Sequence, residues 1–298
     1  MRKIWMAGGV LAASLGLAAC GTSPATLNSA VSSLSSSPDA EFHLTASASG
    51  PGTAQAQPYL NAISLDATFV NPTGANLSAA TSLNSEVTMN IAGTALLDLR
   101  SLAGNLYILI DPSALQGIPS LPISANDLSA VNALFGGKWF ELPKSLLDSY
   151  LNSERAKLKA EGATPPATTK EVQEERAIVA ALTKFIENTP STPLSGGGFS
   201  ETASLQAFVN ALWPTVEGLD PSSNAKPTNV KGSYTLTLST AGSTVTGSSI
   251  SITAPGTGGN DTVGLHATVA HNGATIAVPA NATVLSESVL KGLLNEAQ

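Results

Sequence analysis

The stretch ALLDLRSLAGNLYILID, residues 95 to 111, holds the pattern that decides the fold. In its first half Leu97 and Leu99 alternate with Asp98 and Arg100, the period of a strand with one apolar face. Asp98 and Arg100, two apart on the same face, are placed to pair with each other. Ala103-Gly104-Asn105 predicts a tight hairpin turn. The second half, LYILI, is apolar on both faces, as expected of a central strand covered on both sides.

The same alternation recurs outward in both directions. AEFHLTASAS from Ala40, AISLDATFV from Ala62, SEVTMNIAG from Ser85 and KWFELP from Lys138 form a first set of strands. GSYTLTLST, GSSISITAP, TVGLHATVAHNG and ATIAVPA form a second, after Gly232. One face is written in Leu, Ile, Val, Phe and Met, and the opposite face mostly in Ser, Thr and Asn. Short strands with tight Gly and Asn turns predict antiparallel meander pairing.

Between the two sets the period changes to that of helices. Pro143 opens a run to Gly162 whose apolar face is Leu146, Leu147, Tyr150, Leu151 and Leu158. Thr168 stands three residues before Glu171, a capping-box spacing, at the head of a second helix. Gly196-Gly197-Gly198 reads as a flexible hinge, and TASLQAFVNALWPTVEGL as a further helix. Leu27, Val31 and Leu34 predict a small helix before the first strand, and SESVLKGLL one at the end. A run of strands interrupted by segregated helices predicts an α+β fold. The layout is that of one antiparallel sheet. Residues 26–298 read as one domain carrying a helical insertion at about 143–213.

Cysteine occurs once in 298 residues, at Cys20. Before it stand Arg2 and Lys3, then an apolar stretch from Ile4 to Ala18, which is the layout of a secretory signal. The stretch is short for a bilayer span. Leu17-Ala18-Ala19-Cys20 resembles the bacterial lipobox, in which the cysteine thiol takes lipid and becomes the mature N-terminus. Residues 1–19 are then a signal peptide, 20–25 a lipid-anchored tether, and Cys20 the lipidation site. Two or three acyl chains anchor stably, at about 0.8 kcal/mol per buried methylene. The expected location is the extracytoplasmic side of the cell membrane.

Formal net charge is −7, and charged residues make up 12% of the chain against about 25% in typical soluble proteins. An acidic chain with three histidines and few aromatics is not built for nucleic acid. No HExxH, CxxC, GxSxG or phosphate-binding glycine loop occurs. His266 and His271 are an odd number apart, so on a regular strand they face opposite sides. Neither catalytic residues nor a metal or cofactor site is predicted.

The lipobox, the hairpin DLRSLAGNLYILIDPSAL, the strand-to-helix step GGKWFELPKSLLDSYL and the closing TIAVPANATVLSESVLKGLL together resemble the actinobacterial lipoproteins of the LppX/LprG type. More distantly they resemble the LolA/LolB carriers. The resemblance implies a curved antiparallel sheet forming a half-open barrel, with helices over its concave face and an apolar cavity between them that binds acylated lipid or glycolipid for transport or presentation in the envelope, without catalysis. Alternation nominates Phe42, Leu44, Phe69, Met89, Ile91, Leu106, Ile108, Trp139, Leu236 and Ile252 as wall positions. The alternative is a filled core, with the charged helices of residues 138–187 binding a protein partner.

Overall fold

A computed structural model describes residues 34, 36–118, 124–150, 152, 177–178, 180–181, 184–185, 188–219, 226–242 and 244–289. The signal, Cys20, the tether, the helix expected around Leu27 and Val31, and most of the helices expected over 143–187 lie outside these residues. The strands are β1 (Asp39–Ser49), β2 (Ile63–Val70), β3 (Asn84–Ile91), β4 (Thr94–Leu102), β5 (Asn105–Ile110), β6 (Lys138–Leu142), β7 (Ser191–Pro193), β8 (Gly198–Ser204), β9 (Ser233–Ala241), β10 (Thr244–Gly256), β11 (Gly259–Ala270) and β12 (Thr283–Val284). The helices include α1 (Gln57–Leu60), α2 (Ala125–Phe135) and α3 (Leu205–Leu219), and residues 144–150, the start of the helix expected from Pro143, are helical too. Hydrogen-bonding order is β12-β6-β5-β4-β3-β2-β1-β11-β10-β9-β8-β7, an open sheet whose end strands are β12 and β7. The expected α+β class therefore holds. The pairing is antiparallel from β2 through β6 and from β7 through β11, whereas β12 runs parallel to β6.

The hairpin read from residues 95–111 forms, with Leu102 opposite Asn105. Its two-residue turn is Ala103-Gly104, with φ of 51° and 87°. Ala92-Gly93 repeats this between β3 and β4, with φ of 49° and 81°. Positive φ at both central residues suits the twist of the flanking strands, which fixes the register of the meander.

The structure corrects the sequence reading in several places. Gly196–Gly198 is not a hinge but the turn of a β7–β8 hairpin inside the segment read as a helical insertion. A Cβ on Gly198 would lie 1.9 Å from the Leu238 carbonyl oxygen, and its φ is 93°, so only glycine permits this close pairing with β9. The helix expected from Thr202 starts at Leu205, because Phe199, Glu201 and Ala203 keep strand period and Ser204 Oγ accepts from Ala207 N at 3.1 Å as a cap. ATIAVPA, expected as a strand, is irregular. Side chains take its neighbours' backbone groups: Asp39 Oδ2 accepts from Gly273 N and Ala274 N, and Arg100 Nη1 donates to the Ala277 carbonyl at 3.1 Å. Helix α2 was unpredicted; its periodicity is weak, with Leu128 buried and Val131 exposed.

The chain divides into two compact units. One is built on β2–β6 with residues 37–44 and 270–289. The other is built on β7–β11 with residues 45–57. Each draws on chain segments far apart in sequence, which periodicity does not report.

Candidate functional site

In the β2–β6 unit, register sorts side chains between two faces. Leu65 pairs Met89, Ala67 pairs Val87, and Ile63 pairs Ile91. Val87 pairs Leu99, Leu99 pairs Ile108, and Ile108 pairs Phe140, while Leu106 pairs Leu142. One row, Ala67-Val87-Leu99-Ile108-Phe140, is therefore apolar across five strands, and the row beside it, Phe69-Ser85-Ser101-Leu106-Leu142, carries two serines. Phe42 joins it through an edge-to-face contact with Phe69, ring centroids 6.0 Å apart, and Leu44 follows by alternation. Phe42, Leu44, Phe69, Met89, Ile91, Leu106 and Ile108 thus share a face. Only Ile91 of these is fully buried; the others are half-buried.

Trp139 does not join them. It pairs Leu109, which pairs Asp98, and so belongs to the opposite face. There the Arg100 guanidinium stacks 4.6 Å from the Trp139 ring centroid. The same guanidinium bridges Glu86 at 2.9 Å and Asp98 at 3.0 Å, completing the pair expected from the two-residue spacing. Burial pushes the Glu86 carboxyl above its usual range; Arg100 opposes the shift and Asp98 adds to it. Next to this cluster, His43 Nδ1 lies 2.5 Å from Asp66 Oδ1, and Asp66 Oδ2 accepts from Asn90 Nδ2 at 2.6 Å. That arrangement orients an exposed imidazole on a polar sheet face. Sequence reasoning missed it because the three residues stand on three strands.

In the β7–β11 unit, Glu201, Leu236, Ile250 and Leu265 stand in register, as do Ala203, Tyr234, Ile252 and Val263. The two rows lie on one face. Phe185 and Phe208 cover part of it, within 5.4 Å of each other and 5.6 and 5.7 Å of the Tyr234 ring. Beneath them Leu236 is 1% exposed. Burial, with the Glu201 carboxylate nearby, pushes the Tyr234 phenol well above its usual range. The cover stops at β10. Ile252 is 42% exposed, and its neighbours Val263 and Leu265 on β11 are 44% and 47% exposed. The reverse face is written in hydroxyls that meet across strands, Thr202 with Thr235 at 3.1 Å and Thr253 with Thr262 at 2.9 Å.

The two later histidines are separated as their spacing predicts. His266 Nε2 lies 3.4 Å from Ser47 Oγ, whereas His271 Nδ1 lies 2.6 Å from the Asp39 carbonyl oxygen. No group of three or more potential metal ligands stands together among the described residues. No helix among them is long and apolar enough to cross a membrane. Two open clefts flank α3. One, of about 580 Å³, is lined mainly by Ala177, Ala180, Ala181, Phe185 and Pro214. The other, of about 470 Å³, lies beside Gln206, Asn210 and Lys231. Neither includes a predicted wall residue.

The chain is similar in structure to the Mycobacterium tuberculosis lipoprotein LppX, with a TM-score of 0.33 and 12% identity, over 87% of this chain and all of that one. No family model and no curated protein matches the sequence.

Proposed function

We propose that the chain is a membrane-anchored lipoprotein that holds an acylated lipid or glycolipid against apolar sheet surface, for transport or presentation in the cell envelope, without catalysing a reaction. The observation that supports this most directly is the uncovered apolar row Ile252, Val263 and Leu265 on adjacent strands. Contiguous exposed apolar surface in a water-soluble fold marks a binding site. The half-buried face of Phe69, Met89, Leu106 and Ile108 in the other unit adds a second such surface. Each methylene of a bound acyl chain buried there contributes about 0.8 kcal/mol. Acylated Cys20 holds the protein at the membrane, on its extracytoplasmic side. With Trp139 on the polar face and Ile91 and Leu236 buried, the nominated positions that remain as surface are Phe42, Leu44, Phe69, Met89, Leu106 and Ile108 in one unit and, separately, Ile252 in the other, where Val263 and Leu265 join it.

Native mass spectrometry of the Cys20→Ala protein, exported through a non-lipoprotein signal peptide, tests the reading. Stoichiometric lipid should co-purify. Met89→Lys should lose it, and so should the double variant Val263→Ser with Leu265→Ser, whose exposed positions leave folding intact. A clean apo mass that takes up no added phospholipid or glycolipid would sink the carrier reading and leave the protein-interaction alternative.

A further inference from the structure

The cleft beside α3 is lined by Thr228, Asn229, Val230 and Lys231 and by two residues of the helix, Gln206 and Asn210. Gln206 and Asn210, four apart, stand on one helix face. Their amides are oriented by a relay. Val230 N, which can only donate, lies 2.8 Å from Gln206 Oε1 and so fixes which end of that amide is oxygen. Gln206 Nε2 spends both hydrogens, on the Pro227 carbonyl at 3.2 Å and on Asn210 Oδ1 at 3.0 Å. The Asn210 oxygen is thereby occupied, and its Nδ2 is left as a donor. Asn229 holds φ 60°, a left-handed backbone position that the Val230 and Pro227 contacts keep in place. Lys231 lines the same cleft, and neither it nor Lys226 makes an ion pair among the described residues. Among the described residues no acidic side chain lines the cleft, although the chain as a whole is acidic.

From this oriented Asn210 donor beside the Lys231 ammonium, which makes no ion pair among the described residues, we propose that the cleft binds a phosphate-bearing polar group. A phosphate offers several acceptor oxygens and no obligatory donor, the complement of this lining. At about 470 Å³ the cleft has room for a polyol attached to the phosphate. The source is either a lipid headgroup or a free phosphorylated polyol. Position favours the former: a Cβ on Gly232, next to Lys231, would lie within 3.0 Å of β10 backbone at Thr253 and Ala254, and Thr253 adjoins the exposed Ile252. The cleft thus lies beside the strand that carries the uncovered apolar row. Only this choice of source rests on the lipid-carrier reading.

The test is calorimetric titration of the Cys20→Ala protein at low salt with dodecyl phosphate, dodecyl maltoside and glycerol phosphate. Dodecyl phosphate should bind about tenfold or more tighter than the maltoside, and Lys231→Gln and Asn210→Asp should each weaken it by about tenfold, the scale of one charge-assisted hydrogen bond. Both variants should leave maltoside binding unchanged, and Lys231→Gln, on an exposed loop, also guards against misfolding of the helix variant. Competition by glycerol phosphate would make the cleft a phosphate site in its own right; its absence, with the other results holding, would assign the cleft to a lipid headgroup. Equal binding of the two amphiphiles, unaffected by either variant, would overturn the cleft while leaving the carrier reading intact. Glycerol phosphate binding that is sensitive to Lys231→Gln, with no amphiphile binding, would keep the cleft and overturn the carrier. No binding by any of the three would overturn both.

Discussion

The apolar face of the β7–β11 unit is divided, whereas that of the β2–β6 unit is uniform. In the first, Tyr234 and Leu236 are sealed under Phe185 and Phe208, and two strands away Val263 and Leu265 stand nearly half exposed. In the second, half-buried Leu, Ile, Met and Phe run from β2 to β6 with no such boundary. The reverse faces differ as well. Hydroxyl pairs line one, and Arg100 with its carboxylates and Trp139 lines the other. The same period-two alternation produced both units. Alternation chooses the face; packing partners decide whether that face is core or open surface.

The largest expected effect is at the sealed end of the divided face. Leu236→Ala should lower unfolding free energy by about 2–5 kcal/mol, because a closely packed side chain leaves a cavity. Ile108→Ala, on the uniform face, should cost less than half as much, since water already reaches that side chain. Urea unfolding of both variants measures the difference, and equal costs would abolish the contrast between the two faces.

A smaller effect is expected at Arg100. Arg100→Met should destabilise by about 1–3 kcal/mol, since Glu86 and Asp98 would be left as neighbouring, partly buried carboxylates. A loss below about 0.5 kcal/mol, the level of an ordinary surface change, would place the cluster among solvent-screened pairs.

The smallest effect concerns pH. Glu86 binds its proton more tightly in the folded chain than in the unfolded one. Its contribution to stability is therefore complete below the usual glutamate range and is lost as pH rises through the raised folded value. Glu86→Gln should remove that part of the slope. Unfolding free energies of the two proteins measured from acid to neutral pH should converge at the acid end, and parallel curves would show that Glu86 is not desolvated.

Much of the fold was legible because strands with one wet and one dry face write their faces into every second residue. Met89, Ile108 and Phe69 could be assigned to one wall on that basis. Trp139 was misplaced because its neighbours in sequence, Lys138 and Phe140, do not reveal which face its strand presents; only pairing with β5 does. The β7–β8 hairpin was hidden by three glycines, which mark a flexible segment and a close strand approach equally well. ATIAVPA has strand alternation, but Asp39 and Arg100 engage backbone groups along that segment. The amide relay of Gln206 and Asn210 was illegible, because its decisive donor is the backbone N–H of Val230, 24 residues away.

The sequence by itself determined the alternating faces, the Ala-Gly turns and the Asp98–Arg100 pair, all of which depend on neighbours a few residues apart. It also determined the single cysteine behind its apolar leader. Tertiary structure alone decided the division into two units, the side on which Trp139 stands and the point at which the aromatic cover over β9 gives way to open surface. Those outcomes depend on register and on packing between distant segments, and a one-residue change of register exchanges the two faces of a strand.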